Sequence, residues 1–358
     1  AVADAASRPE DFSSNMRCLL HRDDDGTPRR LSFGEIGVQT LATADAPLHA
    51  LHRGIVFPEF VEKRMTALEP DIADVAVDGV DRLVGAGGGD FMAEVGDIVP
   101  FTIINRLIGF RNADTRMLKQ AAFDSTELLS ATLPLARLEA LIDGVGPIQE
   151  WIAEQLALVA DDPGDDILGS VARGVDSGDL GAYEAGIILH TLLSAGGEST
   201  TSLLGNAVRI LAEQPGVQAE LRRDPDQIGP FVEEVLRLEP PFRQFLRSVP
   251  RPTTLAGVEI PAGSTVMLFF AAANRDAAKF RRPDDIDLDR RPLRNHMGFG
   301  RGMHHCVGAP LARQEALTVL TVLLDRTTSF TLDPTSPPRW VQSLLVRRNQ
   351  QVPIRVAA

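Results

Sequence analysis

The stretch Ala182 to Glu213 constrains this chain more than any other. Apolar residues recur along it at three- and four-residue steps, the period of a helix, and Ile187 to Leu193 is apolar almost without interruption. A helix of that length, lacking a polar side there, belongs inside the molecule with other elements packed around it. The same periodicity marks Val61 to Leu83, Phe91 to Leu107 and Leu135 to Ala160 as helical. Strand signals are few and short: Thr253 to Ile260, Thr265 to Phe270, Gln342 to Val346 and Val352 to Val356, with Pro261-Ala262-Gly263 as the turn joining the first two. The expected fold is mainly α with a small β region. No repeat, low-complexity tract or linker divides the chain, so a single domain over residues 1–358 is expected.

Composition narrows the function. The 358 residues are 44% hydrophobic, enough for a large core. An excess of 49 acidic over 36 basic residues, net −13, argues against a general affinity for nucleic acid or an anionic membrane. The two cysteines, Cys18 and Cys306, have no partner spaced for zinc or dithiol chemistry, which suits a reducing, cytoplasmic setting. The longest purely apolar run, Val266 to Ala273, is too short to span a bilayer, and no export signal opens the sequence.

The densest chemical signal is Phe299-Gly300-Arg301-Gly302-Met303-His304-His305-Cys306-Val307-Gly308, followed by the helical pattern Ala309 to Leu324. Its glycines permit a tight loop whose backbone amides turn toward one point, and the helix adds the positive end of its dipole just after Cys306. Both effects lower a thiol pKa and stabilise an anionic sulfur ligand, while Phe299 shields it from water. The bland alternative is a small buried hydrophobe. A zinc site built from His304, His305 and Cys306 is disfavoured, because three consecutive residues do not converge on one tetrahedral ion.

This run resembles the haem-binding signature of the cytochrome P-450 superfamily, Phe-Gly-x-Gly-x-His-x-Cys-x-Gly, at every fixed position. The resemblance implies haem b (iron protoporphyrin IX) with Cys306 as the axial metal ligand, Phe299, Gly300 and Gly308 shaping the loop, and His304 on a haem propionate. It implies a thiolate that pushes electron density through iron toward oxygen–oxygen cleavage. Glu234-Val235-Leu236-Arg237, ended by Pro240-Pro241, is similar to the family's Glu-x-x-Arg pair, with Arg290 as its third, structural member. Glu220-Leu221-Arg222-Arg223 satisfies the same pattern but lacks the diproline. Ala195-Gly196-Gly197-Glu198-Ser199-Thr200 resembles the oxygen-activating element. There the glycines suggest space for dioxygen, the Ser199 hydroxyl bonds the Ala195 carbonyl, and Glu198 gates protons. The plainer reading of that element is helix packing with a solvated Glu198. Serine stands at 199 where the family has threonine, which puts coupling in doubt. His49 and Arg53, four apart in Asp45 to Arg53, and Arg247 resemble the remaining propionate contacts.

The family normally begins earlier than Ala1, so its first helix and strands are expected to be missing from this stretch. With no flavin or nucleotide fingerprint in the chain, the expected activity is monooxygenation of a small hydrophobic substrate by O2. Electrons would come from a ferredoxin- or flavodoxin-type carrier and its NAD(P)H reductase. Arg53, Lys63, Arg64, Arg301 and Arg313 are the expected docking cations. The expected pocket segments are Phe12 to Thr43, Met117 to Ala136, Ile187 to Leu192, Phe242 to Leu246 and Ser343 to Leu345. A peroxide-driven peroxygenase and a non-catalytic haem sensor remain as alternatives.

Overall fold

The computed structural model describes residues 1–32 and 39–357, with the side chains of Glu62 and Lys63 excepted. Residues 33–38 of the expected pocket segment Phe12 to Thr43 therefore lie outside the described residues.

A single helix, Ala182–Glu213, runs for 32 residues, about 48 Å at 1.5 Å per residue, with the bounds its periodicity gives. The Glu184 carboxylate accepts from the Gly181 amide at 2.9 Å to cap its start. Ile98–Ile108, Thr115–Leu128 and Ala309–Asp325 pack around it as a mainly α body. Gly196 and Gly197 give it its close approach to Ile98–Ile108. A Cβ at Gly197 would stand 2.3 Å from Phe101, and one at Gly196 would stand 2.7 Å from Ile104. The expectation that both glycines leave space for dioxygen is corrected: they are needed for helix packing on the side facing Ile98–Ile108.

Other expected helices are interrupted where the sequence supplies a reason. Val61 to Leu83 divides into Glu62–Ala67 and Glu69–Gly85, the latter opening with Pro70, whose missing N–H is tolerated only in a first turn. Phe91 to Leu107 becomes a π-turn, Met92–Gly96, followed by Ile98–Ile108. Leu135 to Ala160 breaks after Gly144 into Leu135–Asp143 and Gly146–Leu158.

The β structure is small and antiparallel. Thr253 to Ile260 is a hairpin rather than one strand. It turns on Ala256 and Gly257, both at positive φ, the backbone that a two-residue hairpin needs. Thr265–Leu268 pairs with Phe245–Ser248. At the far end Pro353–Ala357 sits between Gly88–Asp90 and Ser329–Leu332. Gln342 to Val346, expected as a strand, contributes only a bridge from Val346 to Phe242; the neighbouring strands are Arg339–Trp340 and Asn349–Gln351. Among the described residues no helix is long and apolar enough to cross a membrane.

Candidate active site

The Cys306 loop is held open by its own backbone. Gly300 and Gly302 take φ of 67° and 72°, where a side chain is strained, and at Gly302 a Cβ would also lie 2.7 Å from the Ala6 carbonyl. The Cys306 amide donates to the Phe299 carbonyl at 2.9 Å, and the helix Ala309–Asp325 starts directly beyond Gly308. The Arg313 guanidinium lies 4.5 Å over the Phe299 ring. Arg53 reaches in from the helix Leu48–Val56 and donates to the His305 carbonyl at 2.9 Å.

Cys306 is exposed as a residue while its sulfur is set deep among protein atoms. Burial pushes the Cys306 thiol up. The amides of Gly308 and Ala309 and the charges of Arg53 and Arg313 oppose that shift. The expectation of a lowered pKa is thus corrected in balance rather than in kind, because desolvation outweighs the amides and cations that pull toward the thiolate.

Beside the loop, basic groups from three elements converge. The His304 ring centroid is 4.4 Å from that of His49, and His304 is pushed down to about 3 by burial and then by His49, Arg247 and Arg53. Among the described residues the buried His304 Nε2 has no hydrogen-bond partner. Arg247, in the strand Phe245–Ser248, is largely desolvated and among the described residues donates only to the adjacent Leu246 carbonyl, at 2.8 Å. A dense group of basic side chains with an orphan ring nitrogen has the character of a site for anionic groups. Arg53 is partly committed elsewhere, bracing the Cys306 loop and stacking over Phe57 at 5.5 Å.

Midway along the central helix Ala195 is exposed and Ser199 partly so, and Ser199 Oγ donates to the Ala195 carbonyl at 2.5 Å, as the sequence suggested. Glu198 faces another way. It is 1% exposed, accepts from Arg348 Nε at 2.8 Å and from the Thr126 hydroxyl, and burial raises its pKa while Arg348 lowers it. A solvated Glu198 is ruled out. Its partners, 72 and 150 residues away in sequence, carry no local signal that could have named them.

The Glu234 triad closes as expected. Arg237 grips Glu234 through two bonds of 2.8 and 2.9 Å, Arg290 Nε adds one of 2.9 Å, and all three residues are buried. Arg237 also donates to the carbonyls of Asn274, Pro283 and Asp285, so the pair fastens the chain that leads into the cysteine loop. Sequence reading missed its neighbour Glu233. That carboxylate receives His296 Nε2 at 2.8 Å and Arg313 Nε at 2.5 Å, and against burial these partners hold it down to about 2. Arg313 is therefore a brace rather than a free docking cation. Arg64 is likewise engaged, with Glu59 at 3.0 Å and the Asp165 carbonyl at 2.7 Å. The Lys63 side chain lies outside the described residues, and Arg301 is exposed.

Among the described residues no three His, Cys, Asp or Glu side chains gather as a metal cluster. The residues present instead fit a haem: the sulfur of an exposed cysteine, a buried basic group beside it for two carboxylates, and an open helix face carrying a hydroxyl.

Comparison with known proteins places the chain. The family model for Cytochrome P450 matches residues 176–352. Cytochrome P450 144 of Mycobacterium tuberculosis is 39% identical over 362 residues, covering 99% of this chain and 82% of that protein. Cytochrome P450 107B1 of Saccharopolyspora erythraea is 33% identical, covering 98% and 85%. Among solved structures, CYP109E1 from Bacillus megaterium in complex with testosterone superposes with a TM-score of 0.87 at 28% identity, over 99% of this chain and 89% of that one. The chain belongs to the cytochrome P450 family. It is a haem monooxygenase, an oxidoreductase that consumes dioxygen.

Proposed function

We propose that Cys306 is the axial ligand of haem b and that His49, Arg247 and His304 bind its propionates, with Arg53 bracing the loop while its charge adds to theirs. The single observation that carries this reading is the orphan His304 Nε2 at the centre of a basic group beside the Cys306 loop. Haem iron ligated by a thiolate supplies the binding and reductive activation of dioxygen.

The chain's own residues do the rest. Amides of Gly308 and Ala309, with Arg53 and Arg313, stabilise negative charge on the Cys306 sulfur. The Ser199 hydroxyl, anchored on the Ala195 carbonyl, is a donor on the accessible helix face. Glu198 holds a proton one residue away and passes it to Ser199 when its carboxylate leaves Arg348. The substrate is a small hydrophobic molecule received between the central helix, Phe242 to Leu246 and Ser343 to Leu345. Phe245 and Leu344 there leave 37% and 39% of their surface open. Electrons come from a ferredoxin- or flavodoxin-type carrier with an NAD(P)H reductase, in the cytoplasm. Arg301 and Arg53 contribute the positive charge of the docking face.

The test is turnover under two regimes. A reduced carrier with reductase and dioxygen should drive oxygenation at rates well above those with hydrogen peroxide alone. Product with peroxide and none with any carrier would replace this reading with the peroxygenase.

A further inference from the structure

Arg243 carries a charge that no carboxylate pairs among the described residues. Its guanidinium donates to the Ser343 carbonyl, and its Nε is buried without a partner. Burial and Arg347 depress its pKa, with Glu239 opposing them. Glu239, the one carboxylate acting on it, is already paired with Arg347 at 2.6 Å and also lies within 4 Å of Arg209 and Arg275. Among the described residues Arg243 makes no ion pair. A half-buried cation left with one neutral acceptor is costly, and a ligand anion removes that cost.

Its position gives the ligand's shape. Backbone bonds hold Arg243 in place: its amide donates to the Leu345 carbonyl at 2.7 Å and its carbonyl accepts from Ala271 at 3.0 Å. From there the chain runs extended into the strand Phe245–Ser248. Alternation along that strand puts Phe245 and Arg247 on one side, and just before it the buried Gln244 separates Phe245 from the partly exposed Arg243. Arg247 is the member of the basic group beside His304, and Arg243 precedes it by four residues, a reach of at most about 13 Å at ~3.3 Å per residue. Between the two arginines in the chain lies Phe245, a large aromatic with 37% of its surface open, and Leu344, next to the Leu345 whose carbonyl receives the Arg243 amide, is 39% open.

We propose that Arg243 is the specificity residue for this site. It anchors the carboxylate of an acidic substrate whose apolar body lies along Phe245 and Leu344. The inference rests on the proposed function only for the location of the oxidised end. Anchoring a carboxylate at Arg243 leaves the apolar end directed toward the Cys306 side, so oxidation falls remote from the acid group.

Calorimetric titration of the haem-loaded protein tests this with two matched pairs: a medium-chain fatty acid and its methyl ester, and an arylalkanoic acid and its methyl ester. Wild type is expected to bind at least one acid roughly tenfold or more tighter than its ester. Arg243→Gln should bring that ratio close to one with ester binding kept, and Arg243→Lys should retain much of the preference. A wild type that prefers neither acid, or an Arg243→Gln variant that keeps the preference, overturns the proposal. A carbon monoxide spectrum of the same samples reports separately on the Cys306 reading. A missing thiolate band with an intact acid preference would sink that reading and leave Arg243 standing.

Discussion

Arg348 Nε lies 2.8 Å from Glu198 Oε1 and holds a carboxylate that is 1% exposed away from the accessible face of its helix. Burial raises the Glu198 pKa and Arg348 lowers it, so Arg348→Met leaves only the Thr126 hydroxyl opposing the raising influence. Because Glu198 delivers a proton from its acid form, the alkaline limb of oxygenation moves to higher pH in that variant. Glu198→Gln removes the proton carrier and should slow oxygenation by about 10²-fold or more, with haem binding retained. An unshifted pH–rate profile in Arg348→Met would remove Arg348 from the mechanism.

Ser199 offers a second check. Its hydroxyl bonds the Ala195 carbonyl without the β-methyl that holds a threonine rotamer. Ser199→Thr should raise the product formed per NAD(P)H consumed, and Ser199→Ala should lower it while consumption of reductant continues. Equal coupling in all three proteins would show that the hydroxyl takes no part.

Removing the Glu234 carboxylate strands two buried guanidinium groups. Glu234→Ala should destabilise the fold by about 3–5 kcal/mol, since an unpaired buried charge is left behind. Chemical denaturation of the haem-loaded protein measures it, and a loss under 1 kcal/mol would contradict the bracing role.

Glu315 sets a pH limit. It is 1% exposed in the helix that follows Cys306, its Oε2 has no partner, and burial pushes it up to about 8. An unfolded glutamate titrates near 4.5, so the folded state binds this proton more tightly. Its contribution to stability is full below pH 4.5 and is lost as pH rises through about 8. Glu315→Gln should therefore melt at a higher temperature than wild type at pH 9, with the gap narrowing toward pH 6. Parallel melting curves at both pH values would show that the carboxyl finds a partner in solution.

Much of this architecture is legible in local sequence. The central helix matches its hydrophobic period residue for residue, the Ser199 hydroxyl bond follows from spacing, and the family resemblance supplies the Glu234–Arg237–Arg290 triad. What stayed hidden depends on distant contacts. Nothing near Arg348 says that it reaches Glu198, and only the packed position of Phe101 and Ile104 shows that Gly196 and Gly197 serve a helix contact. The balance of charge at Cys306 was equally hidden, because burial depth is a property of the whole fold. Helix breaks at Pro70 and Gly144 were readable but were overridden by a continuous apolar period.

The most direct measurement is the absorption spectrum of the dithionite-reduced protein under carbon monoxide, for wild type and Cys306→Ser. Sulfur ligation by Cys306 gives a strongly red-shifted Soret band in wild type that is absent from the variant. The same band in both proteins, or an unshifted band in wild type, would contradict it.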